Sequence, residues 1–124
     1  MNPTDRKYSD QHEWVQVDDG VATLGITDFA QKELGDIVYV ELPEDGREVA
    51  KGDVIGTIES VKAVSDIYAP VSGTIAGVNA ALEEGPDKVN SEPFGEGWYC
   101  KIKMSAADEL EALMDAAAYD SFTE

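Results

Sequence analysis

Gly56-Thr-Ile-Glu-Ser-Val-Lys62-Ala-Val-Ser-Asp-Ile-Tyr-Ala-Pro70 is rich in β-formers and runs from Thr57 to Ala69 without a glycine or proline. Strands usually span about 3–10 residues, so a run this long is expected to fold back on itself. Apolar side chains are densest on either side of the middle (Ile55 and Ile58, then Val64, Ile67 and Tyr68), and the middle holds Ser60 and Lys62. A fold near the centre puts Lys62 at an exposed hairpin tip. No Gly or Asn marks that turn, so composition alone does not predict it. An ammonium displayed on a rigid tip, away from any cavity, suits modification by another protein better than chemistry of its own.

Outward from this run, Gly and Pro punctuate a series of short strands. Glu13–Val17 alternates, Asp18-Asp-Gly20 turns, and Val21–Ile26 returns as a hairpin. Thr27-Asp28 opens a short helix over 28–34, where Asp28 and Gln31 resemble a capping box and Gly35 ends the element. A strand over 36–42 stops at Pro43, and Lys51-Gly-Asp53 turns into the Lys62 run. Thr74–Val78 is a further strand, 79–97 reads as a long structured loop, and Trp98–Met104 is another strand. Ser105-Ala-Ala-Asp108 followed by Leu110, Leu113 and Met114 predicts a C-terminal helix over about 106–118. Many short strands with helical additions predict a mainly β sandwich or barrel, a single domain over residues 1–124.

A hydrophobic content of 43% with 8% aromatic residues favours a folded globule. Nine basic against 26 acidic residues give a formal net charge of −17, which repels nucleic acid and anionic membrane and steers the chain toward basic protein surfaces. Solubility or adaptation to salt accounts for that charge equally well. The single cysteine, Cys100, forms no intramolecular disulfide or cysteine metal site; it alternates with Trp98, Ile102 and Met104 as one face of a strand. No apolar run of about 18 residues predicts a membrane span. The opening Met-Asn-Pro-Thr-Asp has the character of neither a signal nor a transit peptide, so a cytoplasmic location is expected, or the mitochondrial matrix in a eukaryote.

Catalytic constellations are sparse. His12 is the only histidine, so two-histidine metal sites are excluded and any triad would need it. No glycine pattern forms a phosphate-binding loop. Carboxylates are numerous enough that a close pair reads as a solvated face. A Schiff-base lysine needs desolvation, whereas Glu59 and Asp66, three before and four after Lys62, favour its charged form. Charge therefore favours display over nucleophilic catalysis.

Glu59-Ser-Val-Lys-Ala-Val-Ser-Asp66 resembles the lipoyl-lysine site of glycine cleavage H proteins. His12-Glu-Trp14, Gly25-Ile-Thr-Asp28, Leu34-Gly-Asp36, Val40-Glu-Leu-Pro43, Ala69-Pro-Val-Ser-Gly73 and Pro93-Phe-Gly-Glu-Gly-Trp98 match the same family in order, from about Tyr8 to Tyr119. The resemblance implies a barrel-sandwich hybrid of the lipoyl/biotinyl type, with the 28–34 and C-terminal helices as additions, and a carrier rather than an enzyme. It implies lipoic acid joined by an amide to Lys62. Its implied partners are a pyridoxal-phosphate glycine decarboxylase that loads an aminomethyl group, a tetrahydrofolate-dependent aminomethyltransferase that removes it, and an FAD-dependent dihydrolipoyl dehydrogenase. A lipoate ligase or lipoyl transferase would recognise Glu59.

By the same resemblance Glu13 and Asp66 border a cleft that shelters the adduct, their carboxylates holding its ammonium. His12 lines this cleft or serves a structural role beside Trp14. Glu33 falls where some members carry a histidine, a departure in the cleft wall. A carrier that presents one tip to several enzymes is expected to be monomeric. The alternatives are an H-like lipoyl relay, a lipoyl domain of a 2-oxoacid dehydrogenase, or a biotin carrier. Biotinyl sites usually have methionines around the lysine, where this chain has Val61 and Ala63.

Overall fold

The computed structural model describes residues 2–123, which form two antiparallel sheets. One sheet orders β1 (Lys7–Tyr8), β2 (Glu13–Asp18), β3 (Val21–Ile26), β9 (Cys100–Met104), β8 (Gly73–Val78) and β5 (Glu48–Val49) side by side. The other orders β4 (Ile37–Glu41), β6 (Val54–Ser60) and β7 (Val64–Tyr68). Alternation along the strands sorts the side chains. Ile58 and Ile67 of the small sheet and Leu24, Ile75 and Ile102 of the large one meet in one buried cluster, while Glu59, Asp66 and Lys101 face out. Each such aliphatic side chain contributes about 1.5–3 kcal/mol by leaving water. The mainly β sandwich expected from the sequence is the architecture observed.

The β2–β3 hairpin closes through Asp19 and Gly20, both at positive φ (52° and 79°), the conformation whose twist matches a two-residue loop. Opposite Trp14 in this ladder lies Gly25, where a Cβ would sit 2.9 Å from the indole. The glycine lets Trp14 pack flat, and Trp14 donates its Nε1–H to the Pro93 carbonyl at 2.8 Å. Around it a second buried cluster gathers Tyr8, Ala116 and Tyr119.

Helix α1 (Asp28–Leu34) is where expected, but its cap is Thr27 rather than Asp28. Thr27 keeps extended backbone and accepts the Ala30 N–H, which leaves Asp28 inside the first turn, bound to Gln31 and Lys32. The stretch 79–97 is not only loop: it holds the single-turn helices α2 (Ala81–Glu84) and α3 (Lys88–Ser91). The expected helix over 106–118 is divided. A 3-10 helix (Ala107–Ala112) comes first, Leu113 is extended, and Asp115 then caps α4 (Ala116–Phe122). The break has a tertiary cause, because Met114 exchanges both backbone hydrogen bonds with Tyr8 of edge strand β1 at 2.8 Å. Pairing that edge outweighs continuing the helix.

Among the described residues, no helix is long and apolar enough to cross a membrane. Cys100 is buried, and burial pushes its thiol up to about 12, the behaviour of a core side chain.

Candidate functional site

Strands β6 and β7 are the two arms of the run read first in the sequence, paired from Val54↔Tyr68 to Glu59↔Val64. Lys62 lies in the turn between them and is exposed. The turn is built by Ser60, the signal that composition did not supply. Its hydroxyl accepts the N–H groups of Lys62 (3.3 Å) and Ala63 (3.0 Å) and lies 3.1 Å from the Ala63 carbonyl, while the Ser60 N–H donates to that same carbonyl at 2.8 Å. The Val61 N–H donates to the Asp36 carbonyl at 3.0 Å, tying the tip to the entry of β4.

That entry is itself fixed by a residue outside the sequence-derived candidates. Asn90 of α3 accepts the Ile37 N–H at 2.8 Å and donates to the Gly35 carbonyl and the Gln31 amide oxygen at 2.9 Å. Gly35 closes α1 at φ 82°, and the Lys62 stem passes it: a Cβ there would lie 3.5 Å from Lys62 Cε. The turn's hydrogen bonds thus fix the backbone at Lys62, while the side chain runs out past Gly35. Among the described residues, the ion pairs are Arg6–Asp5 and Lys32–Asp28, so neither Glu59 nor Asp66 holds the Lys62 ammonium.

Two neighbouring grooves adjoin the hairpin. The smaller, about 250 Å³, is bordered by His12, Phe29, Leu34 and Asp66. The larger, about 660 Å³, is bordered by Glu13, Tyr68, Met114 and Phe122. Gln11 lines both. Of the residues expected to share one cleft, His12 and Asp66 thus face one groove and Glu13 faces the next.

Glu13 is buried yet fully partnered. Oε1 accepts the Ser9 hydroxyl at 2.8 Å and Oε2 accepts the Tyr68 N–H at 3.0 Å, bridging the N-terminal hairpin to β7. Burial pushes its carboxyl up to about 7, against the pull of those two donors. Asp66 is exposed. His12 sits at positive φ (67°) with Nδ1 2.7 Å from the Tyr119 hydroxyl, which in turn lies 2.7 Å from Thr27 Oγ1. Its ring neighbours are Phe29, Tyr119 and Phe122, not Trp14, whose indole packs against Phe94 and Arg6. Desolvation lowers the His12 pKa, against the opposing pull of Asp10 and Glu33, and so favours the neutral ring. Glu33, the departure noted in sequence, borders the smaller groove. No three or more His, Cys, Asp or Glu side chains among the described residues gather in a group that could hold a metal ion.

The profile of the glycine cleavage H-protein family matches residues 6–124. A glycine cleavage system H protein of Symbiobacterium thermophilum is 52% identical over 121 residues, 98% of this chain and 94% of its own length. One of Methylacidiphilum infernorum is 57% identical over 117 residues, 94% of this chain and 91% of its own. A crystal structure of a glycine cleavage system H protein from Mycobacterium marinum superposes with a TM-score of 0.91 at 38% identity, covering 98% of both chains. The fold is accordingly the lipoyl-type β-sandwich, and nothing in these relatives supports the 2-oxoacid dehydrogenase or lipoyl-relay alternatives.

Proposed function

This chain belongs to the glycine cleavage H-protein family, and on that premise we propose that Lys62 is the residue that bears its lipoyl group, amide-linked at Nζ. The chain is a carrier component of the glycine cleavage system and not itself an enzyme. When attached, the lipoyl group supplies a dithiolane sulfur on which the aminomethyl unit of glycine travels. The observation that carries the assignment is the tip: an exposed lysine on a turn fixed by Ser60, with the neighbouring Val61 N–H tied to the Asp36 carbonyl. A fixed backbone and an exposed side chain let the chain offer cargo to several partners at high effective concentration.

Those partners are a glycine decarboxylase with pyridoxal phosphate, an aminomethyltransferase with tetrahydrofolate, and a dihydrolipoyl dehydrogenase with FAD. A lipoate ligase or lipoyl transferase reads Glu59. Residues 1–124 act as one carrier domain, as a monomer in the cytoplasm. The smaller groove, one of whose lining residues, Leu34, precedes the Gly35 that the Lys62 side chain passes, shelters the cargo. Asp66, exposed and free of an ion pair among the described residues, accepts hydrogen bonds from its ammonium. Glu13 stands one groove away, where the approach of a cation would favour loss of the carboxyl proton that burial stabilises. His12 supports the wall between the grooves through Tyr119 and Phe122.

Intact mass after co-expression with a lipoate ligase tests the reading: it should rise by one lipoyl group, and Lys62→Ala should abolish the rise. An unshifted wild-type chain would overturn it. For the groove, Asp66→Asn and Glu13→Ala should each shorten the lifetime of the aminomethyl adduct in a reconstituted system, and an unchanged lifetime removes that residue from the sheltering role.

A further inference from the structure

Large hydrophobic side chains that remain in solvent are unevenly distributed. Val38 (50% exposed), Tyr39 (52%), Val61 (68%) and Val64 (65%) all belong to the Lys62 end of the small sheet and its turn. Register explains the grouping. Tyr39 of β4 is paired with Glu59 of β6, and Glu59 with Val64 of β7, so the three form one row across the outer face. Val38 sits at the irregularity between Ile37 and Tyr39, which puts both side chains in solvent. On a chain of net charge −17 this is an apolar frame around Glu59, immediately behind the lysine, and the next row on the same face, Glu41–Thr57–Asp66, carries the exposed carboxylates of Glu41 and Asp66. An apolar face of this kind marks a contact surface.

We infer that the row Tyr39–Glu59–Val64, with Val38 and Val61, is the surface on which the enzyme that acylates Lys62 docks. The inference rests on the reading of Lys62 as the lipoyl attachment point. Reach selects this partner over those that handle cargo. A lysine side chain extends roughly 6 Å, so an enzyme that acylates Nζ must close over the root of the residue. The row begins within about 5–10 Å of that root, one or two strand spacings. After acylation the reach grows to roughly 14 Å, and partners acting at the far end can stay clear of the sheet face. In the step itself Nζ, having given up a proton, attacks the carboxyl carbon of a lipoyl adenylate; the amide C–N bond forms and the C–O bond to AMP breaks. The charge pattern specifies the complementary surface: an aromatic or aliphatic patch with Arg or Lys placed to meet Glu59 and, one row further along, Glu41 and Asp66.

The test uses the full-length apo chain with a lipoate ligase, ATP and lipoic acid, followed by intact mass. Tyr39→Ala and Val64→Ser should each raise KM for acylation by about 10-fold with kcat nearly unchanged, and Tyr39→Phe should restore it. Val54→Ser, exposed at the opposite end of the same sheet, should acylate like wild type. Variants driven to full lipoylation should then accept the aminomethyl group from glycine decarboxylase at the wild-type rate. Acylation of Tyr39→Ala at wild-type kcat/KM overturns the inference and leaves the attachment reading standing. An equal loss with glycine decarboxylase, or a concentration-dependent dimer that Tyr39→Ala dissolves, reassigns the face to that enzyme or to a second copy. A wild-type chain left unmodified at Lys62 removes both readings.

Discussion

The carboxylate of Glu13 accepts the backbone N–H of Tyr68 at 3.0 Å, joining the strand that precedes the N-terminal hairpin turn to the strand that descends from the Lys62 tip. With Ser9 on the other oxygen, a side chain acidic in sequence behaves as a structural clasp.

The clasp has a pH signature. Its folded value of about 7 lies above the ordinary 4.5, so the native state holds this proton more tightly than the unfolded chain does. The associated stability is present in full below 4.5 and is lost as pH rises through about 7, a change of order 3 kcal/mol. Glu13→Gln keeps an acceptor for Tyr68 and cannot ionise. Denaturant unfolding at pH 5 and pH 8 should show wild-type stability, relative to the variant, falling by about 3 kcal/mol between them. Equal differences at both pH values would mean that Glu13 ionises as an ordinary carboxyl.

Tyr119 supplies a second clasp. Its hydroxyl serves His12 and Thr27 at 2.7 Å each, and its ring stacks on Tyr8 with centroids 4.8 Å apart. Tyr119→Phe keeps the stack and removes the hydroxyl, leaving His12 Nδ1 without this partner. A cost of about 1–3 kcal/mol is expected in chemical unfolding. Faster amide exchange should appear at Ala30, whose N–H is capped by Thr27, and along α4. A loss confined to α4 would detach Thr27 from the network.

Much of this was legible before the fold was known, and the misses share a cause. The Glu13–Ile26 hairpin and the 28–34 helix are set by local pattern, and each appears where its residues predict. The strand expected over 98–104 begins only at Cys100: Cys100, Ile102 and Met104 share the core face, but Tyr99 is buried in that core too and Trp98 packs instead against the Tyr8–Trp14 cluster. Strand length alone points to the turn at Lys62, because its determinant is one serine hydroxyl rather than a glycine. Leu110, Leu113 and Met114 have the spacing of one continuous C-terminal helix; the pairing of Met114 with Tyr8, more than a hundred residues away, leaves no local trace. The site divides similarly. Lys62 and its acidic neighbours sit in one short motif, whereas the division of Glu13 from His12 and Asp66 between two grooves depends on where Gln11 and Phe122 fall.

Gly25 provides a packing test. It faces Trp14 across the hairpin, and a methyl group would come within 2.9 Å of three indole atoms, which belong to a rigid ring that is 1% exposed. Gly25→Ala should therefore destabilise by about 1–3 kcal/mol through overpacking, despite the gain usual when alanine replaces glycine in a strand. Tryptophan emission should shift as the indole is displaced from Pro93. Unchanged emission with unchanged stability would show that the hairpin absorbs the methyl group by a small backbone movement.

Ser60 ties the fold to the carrier role. It is the residue through which the turn holds Lys62, accepting two amide N–H groups that otherwise face water at the tip. Ser60→Ala leaves the strand pairs Glu59↔Val64 and Ile58↔Ser65 in place, so global stability should fall by only about 1 kcal/mol. Lys62 remains present and exposed, but its backbone N–H and that of Ala63 lose their acceptor and the turn keeps only the backbone bonds of residues 60 and 61, so its root is held less firmly. Positioning makes a large contribution to the rate of a group transfer, so acylation of the variant should slow several-fold to about 10-fold with the lysine still fully modifiable at long times. Amide exchange at Lys62 and Ala63 should accelerate in parallel, and Ser60→Thr, which restores the hydroxyl, should recover both. Wild-type acylation of Ser60→Ala alongside accelerated exchange would mean that the acylating enzyme orders the tip itself, and that the rigid turn serves the loaded carrier instead.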